Sequence, residues 1–219
     1  MKLKICGLKH PDNVHELLTL EPDYLGFIFY KKSPRYVGEM VDLDWVKNLP
    51  GTARKVGVFV NEEVAVVQNI AEALGLPIVQ LHGEESPEVC KVLKMSGLEV
   101  WKAFGVDEDF DFEKTAAYVG VCDKFLFDTK GKNRGGNGVA FDWELLEKYK
   151  GETPFVLSGG IGPGLAAQLA AAQLSESLKL SESCAAANCA VLDINSRFET
   201  EPGLKDFELI KTFKHELFK

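Results

Sequence analysis

No CxxC pair occurs in the sequence, and its five cysteines, Cys6, Cys90, Cys122, Cys184 and Cys189, are odd in number. A disulfide framework and a zinc site are therefore not expected, and a reducing cytosol fits best. Long apolar runs are also missing: the longest are about the length of a strand, so no membrane span and no membrane partner are expected. The first residues, Met1-Lys2-Leu3-Lys4-Ile5-Cys6, turn polar too soon for a signal peptide, which points to a cytoplasmic protein. Positive charge is not in excess. A net charge of -8 argues against a nucleic-acid partner but leaves room for a local cationic pocket that takes a small anion. Low-complexity runs and linkers are absent too, so residues 1–219 read as a single domain.

What is present is enough to build a core: 46% of residues are hydrophobic, and 26% are charged. Short apolar runs at 3–6, 24–29, 55–60, 77–81, 98–104, 125–127, 154–157 and 190–193 read as strands. Helical patterns fall between them. Val14, Leu17 and Leu18 share one face after Pro11, and a helix at 42–48 stops before Pro50. Asn61 reads as the N-cap of a helix carrying Val64, Val67, Ile70, Ala71 and Leu74. Ser86-Pro87 opens the next, a short helix is expected near 111–118, and Asp142 is placed to cap one with Leu145, Leu146 and Tyr149. An Ala-rich helix is expected at 164–173, with 174–188 either continuing or breaking it. Residues 194–199 read as a loop, and the last helix carries Phe207, Ile210, Phe213 and Leu217. Eight strand-then-helix units imply a parallel sheet, and so an α/β protein of the (β/α)8 TIM-barrel class. A doubly wound open sheet is the structural alternative, although the first βα turn, Cys6-Gly7-Leu8-Lys9, lacks G-x-G-x-x-G.

In a barrel the C-terminal ends of the strands carry the active site. Those ends hold Cys6, the 30–36 loop, Asn61, His82, Phe104, Asp128, Ser158-Gly159-Gly160 and Asp193. Most admit two readings. Cys6 is a small buried hydrophobe or a thiolate base. Asp128 anchors its own loop or serves as an acid with a raised pKa. Arg35 is a solvated loop cation or the fork that grips a carboxylate. His82 caps the next helix or faces the ligand. The loop after Asp128, with four glycines and three cations, is a surface loop or a cover that closes over a ligand. Gly159 and Gly160 open a helix after strand seven, where phosphate binds in barrels of this class.

Together these residues resemble the phosphoribosylanthranilate isomerases of tryptophan biosynthesis, along nearly the whole chain. The likeness is carried by Lys4-Ile5-Cys6-Gly7, Gly26-Phe27-Ile28-Phe29, Lys32-Ser33-Pro34-Arg35-Tyr36, Val56-Gly57-Val58-Phe59-Val60-Asn61, Val79-Gln80-Leu81-His82-Gly83, Leu157-Ser158-Gly159-Gly160, Leu192-Asp193 and Pro202-Gly203-Leu204-Lys205-Asp206. The resemblance implies an Amadori rearrangement of a small phosphosugar, with neither cofactor nor metal, in a monomer or homodimer. It implies Asp128 as general acid and Cys6 as general base. Substrate contacts would come from Arg35, His82, Gly159, Gly160, Asp193 and Ser196. One departure stands out. Many relatives carry Ser-Ser-Gly-Val-Glu after the strand-eight aspartate, whereas this chain has Asn195-Ser196-Arg197-Phe198-Glu199, with Arg197 at the glycine position. Two other functions compete: a phosphosugar lyase with Lys102 as Schiff-base lysine, and a non-catalytic phosphosugar-binding barrel.

Overall fold

A computed structural model of the protein describes residues 1–38, 42–129, 143–165 and 189–218. Eight strands, β1 to β8, pair in sequence order into a closed barrel. They are β1 (Lys2–Cys6), β2 (Tyr24–Ile28), β3 (Arg54–Phe59), β4 (Ile78–Leu81), β5 (Glu99–Val106), β6 (Lys124–Thr129), β7 (Phe155–Leu157) and β8 (Cys189–Ile194). The first strand closes the ring on the last, with Leu3 opposite Leu192 and Lys4 opposite Asp193, all in parallel register. An open doubly wound sheet has two free edges and is thereby excluded.

Successive side chains on a strand point to opposite faces, and the two hydrophobic clusters follow that alternation. Tyr24, Val56, Ile78, Trp101, Ala103, Leu126, Val156 and Val191 fill the barrel interior. Leu3, Ile5, Leu25, Phe27, Val79, Leu81, Val100, Phe125 and Phe127 face outward, against the helices. On the first half of the barrel the cover is helical: α1 (Pro11–Leu18), the single turn α2 (Asp44–Lys47), α3 (Val64–Leu74) and α4 (Pro87–Met95). Pro at the first turn starts α1 and α4, where its missing N–H costs nothing. Gly75, left-handed at φ 60°, ends α3.

Beyond β5 and β6 the described segments are 3-10 turns, Phe112–Tyr118 and Trp143–Lys148. There, aromatic side chains cover the sheet. Phe104, Phe112, Phe125, Phe127, Tyr149 and Phe155 form a wall of mostly edge-on rings, with centroids such as Phe127–Tyr149 at 5.2 Å and Phe127–Phe155 at 5.4 Å. After β8 the chain makes a 3-10 turn (Ser196–Phe198) and a small hairpin, β9 (Glu199–Glu201) with β10 (Leu204–Lys205). It finishes in α5 (Phe207–Leu217).

Three expectations change. Asn61 does not cap α3: that position falls to Glu63, while Asn61 adopts φ 50° and accepts a hydrogen bond from the Glu84 backbone N–H. A short polar side chain tolerates the left-handed region well enough for this. The segment 194–199, read as plain loop, contains the 3-10 turn and the start of the hairpin. The helix expected over 42–48 is only the one turn of α2. Asp142, the loop at 130–138 and the stretches 166–173 and 174–188 lie outside the described residues. No helix among the described residues is long and apolar enough to cross a membrane.

Candidate active site

Cys6 is the last residue of β1, on the inward face shared with Lys4, and it is almost fully buried. Opposite it on β2 stands Gly26. A Cβ at Gly26 would lie 2.8 Å from the Cys6 sulfur, so the glycine makes room for the thiol. Burial pushes the Cys6 thiol pKa up, the Lys4 ammonium draws it back, and the Asp193 carboxylate pushes it up again. Lys4 Nζ donates to Asp193 Oδ1 at 2.9 Å inside the barrel, where neither side chain has appreciable contact with water. Ser158 Oγ donates to Asp193 Oδ2 at 3.4 Å.

Asp128, near the end of β6, is also buried and inward-facing. His82 Nε2 stands 3.3 Å from Asp128 Oδ2, and Gln80 Nε2 stands 2.9 Å from His82 Nδ1. Donation from the Gln80 amide to Nδ1 leaves the ring proton on Nε2, facing the carboxylate. Gly159 is left-handed at φ 84°, and a Cβ on it would meet Asp128 Oδ1 at 2.7 Å and the Thr129 backbone nitrogen at 2.4 Å. Only glycine therefore lets the loop after β7 lie against the acid. Gly160 is left-handed too, at φ 66°.

Arg35 reaches over the first strand–helix turn. A Cβ on Gly7 would fall 2.7 Å from Arg35 Cδ and 2.6 Å from Asn195 Oδ1. The guanidinium forks onto Glu199: Nε reaches both carboxylate oxygens at 2.9 Å, and Nη2 reaches Oε2 at 2.6 Å. Lys205 Nζ joins from β10, 2.5 Å from Glu199 Oε1 and 2.8 Å from Asn195 Oδ1. Burial lowers the Lys205 pKa to about 8, against the pull of Glu199. Burial alone would raise the Glu199 carboxyl, but hydrogen bonding from Arg35 and the Lys205 charge hold it below the usual range.

The residues expected to act thus form three neighbouring groups on one rim: Cys6 with Lys4 and Asp193, Asp128 with His82 and Gly159, and Arg35 with Glu199. The Asp193 carboxylate points into the barrel at Lys4. Ser196 opens the 3-10 turn after β8. Arg197 is exposed on that turn, and its Nη1 is 3.1 Å from where a Cβ on Gly162 would be, which sets its side chain along the loop after β7.

Lys102 is not in the mouth. It alternates with the inward Trp101 and Ala103, and its ammonium pairs with Glu85 at 3.1 Å and with the Gly83 carbonyl at 2.7 Å behind the sheet. A Schiff-base lysine at that position has no path to a ligand in the barrel. Lys4, Gln80, Glu199 and Lys205 were not singled out by the sequence reading. Their signal was a polar residue at an inward register of an apolar strand for the first two, and a place among the resemblance motifs for Lys205.

Known proteins resemble this chain along nearly its whole length. The family model described as "PRAI: N-(5'phosphoribosyl)anthranilate (PRA) isomerase" matches residues 3–216. The N-(5'-phosphoribosyl)anthranilate isomerase of Phocaeicola vulgatus is 40% identical over 217 residues, covering 99% of this chain and 98% of its own. A crystal structure of phosphoribosyl anthranilate isomerase with reduced 1-(o-carboxyphenylamino)-1-deoxyribulose 5-phosphate superposes with a TM-score of 0.75 at 29% identity, covering 99% of this chain and 98% of that one. Monomers generated from the dimeric enzyme of Thermotoga maritima superpose with the same TM-score of 0.75 at 30% identity and the same coverage, 99% and 98%.

Proposed function

The chain belongs to the N-(5'-phosphoribosyl)anthranilate isomerase family, and from that premise we propose that it converts N-(5-phosphoribosyl)anthranilate into 1-(2-carboxyphenylamino)-1-deoxyribulose 5-phosphate in tryptophan biosynthesis. The observation that carries the residue assignment is the pairing of a buried thiol on β1 with a buried carboxyl on β6, both inward at the same rim. Asp128 protonates the ribose ring oxygen. The C1–O bond breaks as the nitrogen lone pair forms C1=N, a protonated Schiff base. Its positive charge acidifies the C2 proton, which Cys6 removes. The C2–H electron pair forms C1=C2 and the C=N pair returns to nitrogen, giving an enolamine. Transfer of the O2 proton to C1 completes the ketone. Two positioned proton-transfer groups suit this chemistry, each worth about 10²–10⁴ in rate.

Binding follows from charge. Glu199 takes two of the three Arg35 nitrogens, leaving Nη1 for the anthranilate carboxylate. His82 holds Asp128 and borders the substrate. The left-handed Gly159 and Gly160 turn backbone N–H groups toward the phosphate, with Ser196 on the turn after β8 and the Arg197 guanidinium adding positive charge.

The test is to supply phosphoribosylanthranilate and follow the loss of its anthranilate-type fluorescence. Cys6→Ala and Asp128→Ala are each expected to lower kcat by about 10²–10⁴. Turnover near the wild-type rate in either variant would remove that residue from the mechanism, and no turnover by the wild type would remove the reaction.

A further inference from the structure

A thiol as deeply buried as Cys6 makes a poor base, because an isolated charge in the barrel interior is expensive. We propose that Lys4 is the positioning residue that makes Cys6 a base: its ammonium supplies the counter-charge for the thiolate, and Asp193 competes for that ammonium. This rests on the reading of Cys6 as the base.

Geometry supplies the argument. Residues two apart on a strand share a face, so Lys4 stands directly beneath Cys6 on β1, and it is fully buried. On the β2 side Cys6 is in register with Gly26, which carries no side chain. On the β8 side, Asp193 is in register with Lys4 and ion-paired to it. Lys205, from β10, adds a positive charge that also favours the thiolate. Asp128 and His82 act on this group through Asp193, the first raising its pKa and the second lowering it. Arg35 stands over Gly7, the next residue in the chain.

The ammonium is charged at neutral pH. Burial works against it, but Asp193 and Cys6 outweigh burial and hold the Lys4 pKa above its usual value. Asp193 has Ser158 Oγ as a second partner, so Lys4 can shift toward the sulfur when the thiolate forms without leaving the carboxylate bare. The plain alternative is a buried ion pair that only ties β1 to β8.

The two roles give opposite expectations. Thiolate formation at Cys6 is read from ultraviolet absorbance against pH in each variant, with the same variant carrying Cys6→Ser as blank. For Lys4→Met, the thiol titration is expected to move up by at least about one pH unit, which is tenfold in thiolate at a given pH. The rising limb of kcat should follow it, with KM changed less than about twofold. For Asp193→Asn, the titration is expected to move down, because the ammonium then has only the thiolate to neutralise. This variant keeps the ammonium and decides the matter even where Lys4→Met folds poorly. Unmoved titrations, or shifts of the same sign in both variants, overturn the proposal while leaving Cys6 as the base if Cys6→Ala is inactive. Opposite shifts that the kcat profile ignores overturn both.

Discussion

At the scale of single residues, Arg197 is where this chain parts from the pattern its sequence resembles. Its side chain runs along Gly162 in the loop after β7, beside the two left-handed glycines. In the proposed phosphate site, the guanidinium would gain one charge-assisted contact, worth about 1.5–3 kcal/mol. Arg197→Ala is therefore expected to raise KM by about tenfold or more while kcat changes less. An unchanged KM in steady-state kinetics would mean that the side chain serves the loop alone. Position at the barrel rim was legible in the sequence for Cys6, Asp128 and Gly159, each at or just past the end of an apolar strand. Partnership was not. Arg35 and Glu199 are 164 positions apart, and Lys4 and Asp193 are 189 apart, so only closure of the barrel brings them together.

At the scale of elements, the strands were readable because each is a short apolar run. The hairpin β9–β10 was not, because its strands have three and two residues and little apolar pattern. It is held by tertiary contacts instead. Asn13 of α1 donates to the Lys205 carbonyl at 2.9 Å and accepts from the Lys205 N–H at 2.8 Å. The next residue, Asp206, caps α5 by accepting from the Leu209 N–H at 3.0 Å, and its own N–H donates to the Phe198 carbonyl at 2.9 Å. One cap thus fixes where the hairpin ends and where the terminal helix begins. Asp206→Ala is expected to cost about 1 kcal/mol, which for a chain of this size lowers Tm by roughly 2–4 °C. An unchanged melting temperature would show that Ile210 and Phe213, packed on the core, hold the helix without the cap. After β5 and β6, where the described segments are 3-10 turns, mostly edge-on aromatic rings cover the sheet.

For the molecule as a whole, charge at the N-terminal rim of the barrel ties strands together. Glu99, at the start of β5, gathers Arg54 of β3 at 2.6 Å, Lys124 of β6 at 2.6 Å and Trp101 Nε1 at 2.7 Å. Burial opposes ionisation there, but these partners outweigh it and hold the carboxyl at about 2, against the ordinary 4.5. A carboxyl depressed by folding stabilises the native state above its unfolded pKa, and that contribution is lost as pH falls through the folded value. The loss from Glu99 therefore runs from about 4.5 down to about 2. Glu99 is partly exposed, so solvent screening reduces the effect to about 1–2 kcal/mol. Denaturant midpoints measured down through that window should fall less steeply in Glu99→Gln than in the wild type. Some slope should persist in the variant, because Glu199 at the other rim is depressed as well. Equal slopes would show that Glu99 ionisation does not set the acid sensitivity, and the N-terminal staple would then contribute by packing Trp101 against Tyr24 rather than by charge.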